Sequence, residues 1–208
     1  MNKPEDWTLR TIEQEANKFL KQYNPGLTIP VPIEEILELR LNIRLVVYPD
    51  LENRFGINGI INNSFDAIGI DEHVYVQQKE RARFTLAEEL GHMVLHREWY
   101  IKHGPRSFTD FLDWHAKLDA KIYDYIERQA KTFASFVLAP SSTLIPEWER
   151  FTAGKSSRSL QLDQLPDNFP DFCKKFGLAP QSMLLRLEKS GFLTISQDQK
   201  DLLFGKRI

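Results

Sequence analysis

Two stretches of this chain read as long helices, and small residues in each imply that the two helices touch. From Gln78 to roughly Arg97, Phe84, Ala87, Leu90, Gly91, Val94 and Leu95 recur at helical spacing and form one apolar stripe. From about Leu118 to Leu138, Ile122, Ile126, Ala130, Phe133, Ala134 and Val137 do the same, and the run stops before Pro140. A glycine inside a helix costs about 1 kcal/mol relative to alanine, so Gly91 between Leu90 and His92 implies a close neighbour. Ala130 and Ala134 give the second helix a surface that can come that close.

The other elements are shorter. Trp7, Ile12, Ala16, Phe19, Leu20 and Tyr23 predict a first helix that Asn24-Pro25-Gly26 stops. A short helix through Ile33, Ile36 and Leu37 leads to Ile43–Tyr48, whose β-branched and aromatic residues predict a strand. Ile57–Ile61 and Ala67–Ile70, flanking the turn-like Asn62-Asn63-Ser64, predict a hairpin or meander. Trp99–Lys117 has no clean period and reads as a loop or broken helix, placed where a lid would lie. Pro146–Arg150 reads as a short helix, 154–159 has linker composition, and two short helices, Phe169–Phe176 and Pro180–Lys189, follow with Gly177-Leu178-Ala179 between them. Phe192–Ile195 reads as a last strand. The expected division is a main domain over 1–150 and a helical, helix-turn-helix-like subdomain over 151–208.

Composition excludes several classes. With 208 residues and 42% hydrophobic content the chain can bury a sizeable core. Lysine and arginine total 27 against 29 acids, a formal charge of -2, which argues against strong non-specific attraction to nucleic acid or anionic membrane. Cys173 is the only cysteine, so neither an intrachain disulfide nor a several-cysteine zinc site can form. The first ten residues have no apolar signal core, and no apolar run is long enough to span a bilayer, so the expectation is a cytoplasmic protein.

The chemistry concentrates in Glu88-Glu89-Leu90-Gly91-His92. Helical residues four apart share a face, so Glu88 and His92 can bind one ion while Glu89 projects beside them. That is the spacing of the zinc-peptidase motif His-Glu-x-x-His, with Glu88 in place of the first histidine. A carboxylate binds zinc as well as imidazole does, and being harder it also admits manganese or iron. A catalytic zinc needs three protein ligands and an open position, and Glu127 on the second long helix is the candidate third ligand. Glu89 is the candidate general base.

The segment Arg83-Phe84-Thr85-Leu86-Ala87-Glu88-Glu89-Leu90-Gly91-His92-Met93-Val94-Leu95-His96 resembles the active-site helix of the ImmA/IrrE metallopeptidases, apart from the first histidine. Glu127-Arg128-Gln129-Ala130-Lys131-Thr132-Phe133-Ala134, running on to Pro140, resembles that family's third-ligand helix, whose leading glutamate completes the site. The resemblance covers most of residues 28–193, with 98–118 the least characteristic part. It implies an α+β, mainly helical zincin-like metallopeptidase domain with a small antiparallel β-sheet, whose edge strand can pair with an extended peptide, followed by a short helical C-terminal region. It further implies a zinc-dependent endopeptidase that cleaves a transcriptional repressor or similar regulatory protein controlling stress-response or mobile-element genes. Two alternatives stand beside it: a metal-free relative that binds such a partner without cutting it, and a DNA-binding regulator using the C-terminal helices.

For the DNA-binding alternative the suggestive residues are Lys174, Lys175 and Arg186, but Asp171 and Glu188 dilute the charge, and Phe172, Phe176, Leu178, Met183, Leu184 and Leu187 read as a small core. His96 reads as a helix-end hydrogen-bonding residue, and His73, His103 and His115 as polar surface residues. His103 or His115 is the minor candidate to orient an oxyanion. Substrate identity, oligomeric state and activating signal are not encoded visibly.

Overall fold

The computed structural model describes residues 4–153 and 159–204. Helix α1 (Leu9–Tyr23) starts on a capping box, with the Thr8 hydroxyl accepting from the Thr11 amide, and buries Ile12, Ala16, Phe19 and Leu20. Helix α2 (Ile33–Glu35) runs on into a π-helical turn over Ile36–Arg40 and then into strand β1 (Arg44–Tyr48). Helix α3 (Leu51–Phe55), strands β2 (Gly59–Ile61) and β3 (Ala67–Asp71) and helix α4 (Glu72–Gln77) follow. The long predicted helices are α5 (Lys79–Leu95) and, after α6 (Arg97–His103) and α7 (Phe108–Lys117), α8 (Ala120–Leu138). The remainder is α9 (Ser141–Phe151), β4 (Leu160–Gln161), a 3-10 turn, α10 (Phe169–Phe176), α11 (Pro180–Lys189), β5 (Leu193–Thr194) and α12 (Gln197–Phe204).

Helices α5 and α8 pack directly on each other, and Gly91 marks the place. A Cβ built there would stand 2.9 Å from the Ala130 carbonyl oxygen and 3.0 Å from its Cα. The other side of α8 meets α1, where Phe19 and Phe133 make an edge-on ring contact.

The sheet departs from expectation in direction. It is mixed rather than antiparallel, in the order β1-β3-β2, with β1 parallel to β3 and β2 antiparallel to it. The cause is the path of the chain. After β1, helix α3 and the left-handed Gly56 (φ +68) carry the backbone over to the far side of the sheet, so β3, returning from the β2 hairpin, fills the gap beside β1. Asp71 closes this layer: one carboxylate oxygen caps α4 at Val74 N–H (2.9 Å) and the other accepts the Glu52 N–H at the start of α3 (3.0 Å). Those backbone donors hold its carboxyl below the usual range against the cost of burial.

Of the two readings, loop or broken helix, the second describes residues 97–117: they form two helices broken at Gly104-Pro105, and Trp99, Tyr100, Phe111 and Trp114 are buried. They are core cover, which leaves the lid expectation without a mobile apolar face. At the other end, α11 is tied to α8 and α9 by Arg186, which is fully buried. Its guanidinium donates to the Ala139 carbonyl and the Ser141 and Ser190 hydroxyls and lies 4.3 Å over the Phe136 ring. Arg83 links α5 to the same region, donating to the carbonyls of Val31 (2.7 Å) and Gly177 (3.2 Å). Gly177 caps α10 at φ +62, and a Cβ there would lie 2.6 Å from Arg83 Nε. Lys174 pairs with Asp171 and Lys175 with Glu147, so the three cations that suggested a DNA-binding face are engaged within the protein or buried. Of the predicted linker, residues 154–158 lie outside the described residues.

Candidate metal centre

The close α5–α8 contact sets the site, because Glu88, Glu89 and His92 stand on one side of it and Glu127 on the other. These four side chains, with Lys131, line one cavity of about 100 Å³, closed by Gly59, Ile60 and Ile61 of β2 and by Thr85, Tyr100, Phe111 and Tyr123. Strand β2 is held there through Asn58, whose side-chain oxygen accepts from Arg81 of α5 at 3.0 Å. Gly59 is required for the approach, since a Cβ would come 2.4 Å from Thr85 Cγ2 and 3.0 Å from Glu89 Oε1. Main-chain bonds from Asp71 N–H to the Asn58 carbonyl and from Asn62 N–H to the Ala67 carbonyl face β3. By alternation, the polar backbone groups of Gly59 and Ile61 face away from the sheet, and the Ile61 N–H donates to Glu89.

His92 Nε2 lies 3.1 Å from Glu127 Oε1. The Lys131 ammonium stands between the two candidate carboxylate ligands, 3.4 Å from Glu88 Oε1 and 3.3 Å from Glu127 Oε2. Burial pushes the Glu88 carboxyl well above the usual range, and the neighbouring Glu127 charge adds to it. Burial raises Glu89 to about 7, against the opposing pull of His92 and the Ile61 amide. Burial also works against charge on Glu127, yet the hydrogen bond and charge of His92, with the Lys131 ammonium, hold it below the usual range. His92 is pushed the other way: burial opposes its charge, and the Glu127 hydrogen bond outweighs that and raises it.

As they stand, no three His, Cys, Asp or Glu side chains among the described residues are gathered tightly enough to hold a metal ion. The donor chemistry nevertheless fits one. Three carboxyls against one ammonium would carry two net negative charges with Glu88 and Glu89 deprotonated and His92 neutral, the charge a divalent cation would neutralise, so binding one would release the protons that the buried carboxyls and His92 hold in the metal-free cavity. Two carboxylates and an imidazole from facing helices also match a three-ligand catalytic donor set. Glu88, His92 and Glu127 would hold the ion, and the Lys131 ammonium now pairs with two of them.

All four predicted site residues, Glu88, Glu89, His92 and Glu127, thus line one cavity. His103 and His115 do not: His103 packs on Trp99, and His115 lies on the Phe111 ring at 5.6 Å. The phenol groups in the cavity are those of Tyr100 and Tyr123, both held neutral by burial and by the surrounding carboxylates. Tyr123 and Lys131 were legible in principle, since both stand four residues from Glu127 on the same helix face. His96 differs from expectation too. Its ring does not bond the helix-end carbonyls but lies buried between His92 and Gln129, and burial pushes its pKa down to about 3.

Helices carrying paired carboxylates and a histidine at this spacing, beside a small mixed sheet, are consistent with an α+β, mainly helical metallopeptidase domain. Residues 65–164 match the peptidase family model described as the IrrE N-terminal-like domain, and the match supports an ImmA/IrrE family member. That family implies a metal cofactor. No curated protein matches the chain. Among solved structures, a Mycobacterium tuberculosis transcriptional regulator is similar, with a TM-score of 0.54 over 86% of this chain at 12% identity. This chain spans 46% of that protein's length, and the likeness bears on the fold alone. No helix among the described residues is long and apolar enough to cross a membrane.

Proposed function

We propose that this chain is a metal-dependent endopeptidase that cuts an extended segment of a regulatory protein, with a transcriptional repressor as the target class that the family resemblance suggests. The observation that carries the reading is the convergence of Glu88, Glu89, His92 and Glu127 on one cavity under the outward-facing edge of β2. Glu88, His92 and Glu127 would hold the ion, zinc by preference, with manganese or iron admitted by the two carboxylates. When bound, zinc lowers the pKa of a water and polarises the peptide carbonyl.

The chain's own groups supply the rest. Glu89 takes the proton of the attacking water, and a carboxyl raised to about 7 is well matched to that exchange near neutral pH. It would then pass the proton to the leaving amine. The backbone groups of Gly59 and the carbonyl of Ile61 offer an extended substrate hydrogen bonds along the free edge of β2, and the Ile61 N–H, already given to Glu89, ties that edge to the candidate base. The neutral hydroxyls of Tyr100 and Tyr123 are the available donors to an oxyanion.

A second reading, a protein-binding relative without peptidase activity, is favoured by the Lys131 ammonium, which pairs with the carboxylates of both Glu88 and Glu127. One experiment separates the two. The full chain is loaded with zinc, its metal content measured, and its cleavage of a proteome-derived peptide library read by mass spectrometry beside Glu89→Gln. The peptidase reading expects about one zinc in both proteins and a fall in cleavage of about 10²–10⁴-fold in the variant. Undiminished cleavage by Glu89→Gln removes Glu89 from its role, and a wild-type chain that neither binds zinc nor cleaves leaves the binding reading.

A further inference from the structure

A chain of hydrogen bonds runs from His92 to the start of the polypeptide, and its direction can be read from the groups at its far end. Gln129 Nε2 donates to the Trp7 carbonyl at 3.5 Å. A backbone carbonyl only accepts, so the Gln129 amide is oriented with Oε1 toward His96, whose Nε2 lies 2.8 Å away. Oε1 also only accepts, which places a proton on His96 Nε2. His96 Nδ1 in turn lies 3.3 Å from His92 Nδ1. The ring of His96 is 2% exposed and its nitrogens meet His92 and Gln129, neither a carboxylate, so a second ring proton has no counter-charge in contact. His96 Nδ1 is therefore the acceptor, and the proton between the two rings belongs to His92 Nδ1.

We propose that His96, oriented by Gln129, is a positioning residue for His92: it accepts the His92 Nδ1 proton and so leaves Nε2, which donates to Glu127 in the metal-free protein, as the nitrogen that gives up its proton to take a ligand in the cavity. A histidine ligates through one ring nitrogen, and the hydrogen bond at the other decides which. The opposite proton arrangement would put the single proton of a neutral His92 on Nε2 and close that nitrogen to a ligand. The relay also accounts for two buried polar side chains, His96 and Gln129, that the peptidase chemistry does not use. Trp7 fixes its outer end, since its own indole N–H donates to the Leu95 carbonyl at 3.0 Å, one residue before His96.

The inference rests on the reading of His92 as a metal ligand only for its effect on affinity, and two measurements on the full chain keep the questions apart. Long-range 1H–15N correlation of the metal-free protein is expected to show His96 as the neutral tautomer protonated at Nε2, with His92 protonated at Nδ1. A proton on His96 Nδ1 overturns the proposal whether or not metal binds. Zinc affinity, read by competition with a chromophoric chelator, is expected to fall about 10–100-fold in His96→Phe, which fills the ring volume without an acceptor. His96→Asn, whose Oδ1 can stand in for Nδ1, is expected to recover most of that loss. Equal weakness of the two variants at equal thermal stability overturns the proposal. Should His96→Phe not fold, Gln129→Met removes the acceptor at the next link and carries the same expectation. A wild-type chain that takes no zinc defeats the metal reading, and the tautomer measurement then decides the relay alone.

Discussion

Replacing Gly91 by alanine tests the contact on which the site depends. The added Cβ would stand 2.9 Å from the Ala130 carbonyl oxygen and 3.0 Å from its Cα, and both obstacles are backbone. Optimal contact lies at about 3.5–4.0 Å, so α5 and α8 must part by roughly half an ångström or more. Overpacking of this kind costs about 1–3 kcal/mol, with the upper half expected where no side chain can swing away. Alanine returns about 1 kcal/mol of helix propensity, which leaves a net loss of about 1–2 kcal/mol. For a domain of this size that is a fall in Tm of roughly 2–8 °C. The larger effect should be on metal binding. His92 adjoins Gly91 on one helix and Glu127 lies one turn before Ala130 on the other, so the separation enters the ligand spacing directly. Metal sites tolerate about 0.2 Å, and a shift of half an ångström predicts a zinc affinity lower by about tenfold or more. The measurements are thermal unfolding of the metal-free chain and chelator competition. An alanine variant as stable as the parent, with unchanged zinc affinity, would show that the two helices do not meet at this point and would refute the reasoning.

Two further predictions follow from the charges in the cavity. Lys131→Met should tighten zinc binding by about 2–30-fold, because the ammonium competes with the ion through two pairs that, half exposed to solvent, are worth about 0.2–1 kcal/mol each; unchanged affinity in chelator competition would show that it does not compete. The metal-free chain should lose stability as pH rises from about 4.5 through 7, because a Glu89 carboxyl raised from 4.5 to about 7 binds its proton more tightly folded than unfolded, an effect of at most about 3 kcal/mol. Urea unfolding at pH 5 and pH 8 should therefore show a larger difference in the parent than in Glu89→Gln, and equal differences would mean that Glu89 is not desolvated.

Much of this arrangement was legible in the residues. The period of the two apolar stripes gave α5 and α8 to within a few residues, and the unforced Gly91 gave their contact, because a mid-helix glycine has a local cost that only a close neighbour offsets. The i, i+4 spacing of Glu88 and His92 put both on one face, and the cavity contains both. Strand direction was not legible, since side-chain alternation is the same in parallel and antiparallel pairs and only the path through α3 and Gly56 decides it. For 97–117 the residues left a loop and a broken helix both open, because the aromatics pack inward from both helices and that removes the one-sided stripe by which a surface helix is recognised. His96 was misplaced because a helix-end position says nothing about what the next helix brings to it, and Gln129 arrives 33 residues later.

Glu88, which stands where the zinc-peptidase motif that this helix resembles has a histidine, is best understood together with Lys131. The first adds a negative charge to the donor set and the second stands against it, at 3.4 Å, on the opposite helix. Without that ammonium the metal-free cavity would hold Glu88, Glu89 and Glu127 with no cation but a protonated His92, and burying unpaired carboxylates costs several kcal/mol each. Lys131 therefore makes the metal-free fold tenable. It does not follow that it keeps metal out. Its two half-exposed pairs contribute about 2 kcal/mol at most, whereas structural zinc sites bind with about 10–16 kcal/mol, so even a three-donor site well below that range takes its ion at the cost of a modest loss in affinity. The lysine flexes on a four-carbon stem and half its side chain already reaches solvent, so leaving the carboxylates requires no rearrangement of either helix. On these magnitudes the ammonium bridge is weak support for an inactive relative, and the donor set that surrounds it is stronger support for a peptidase.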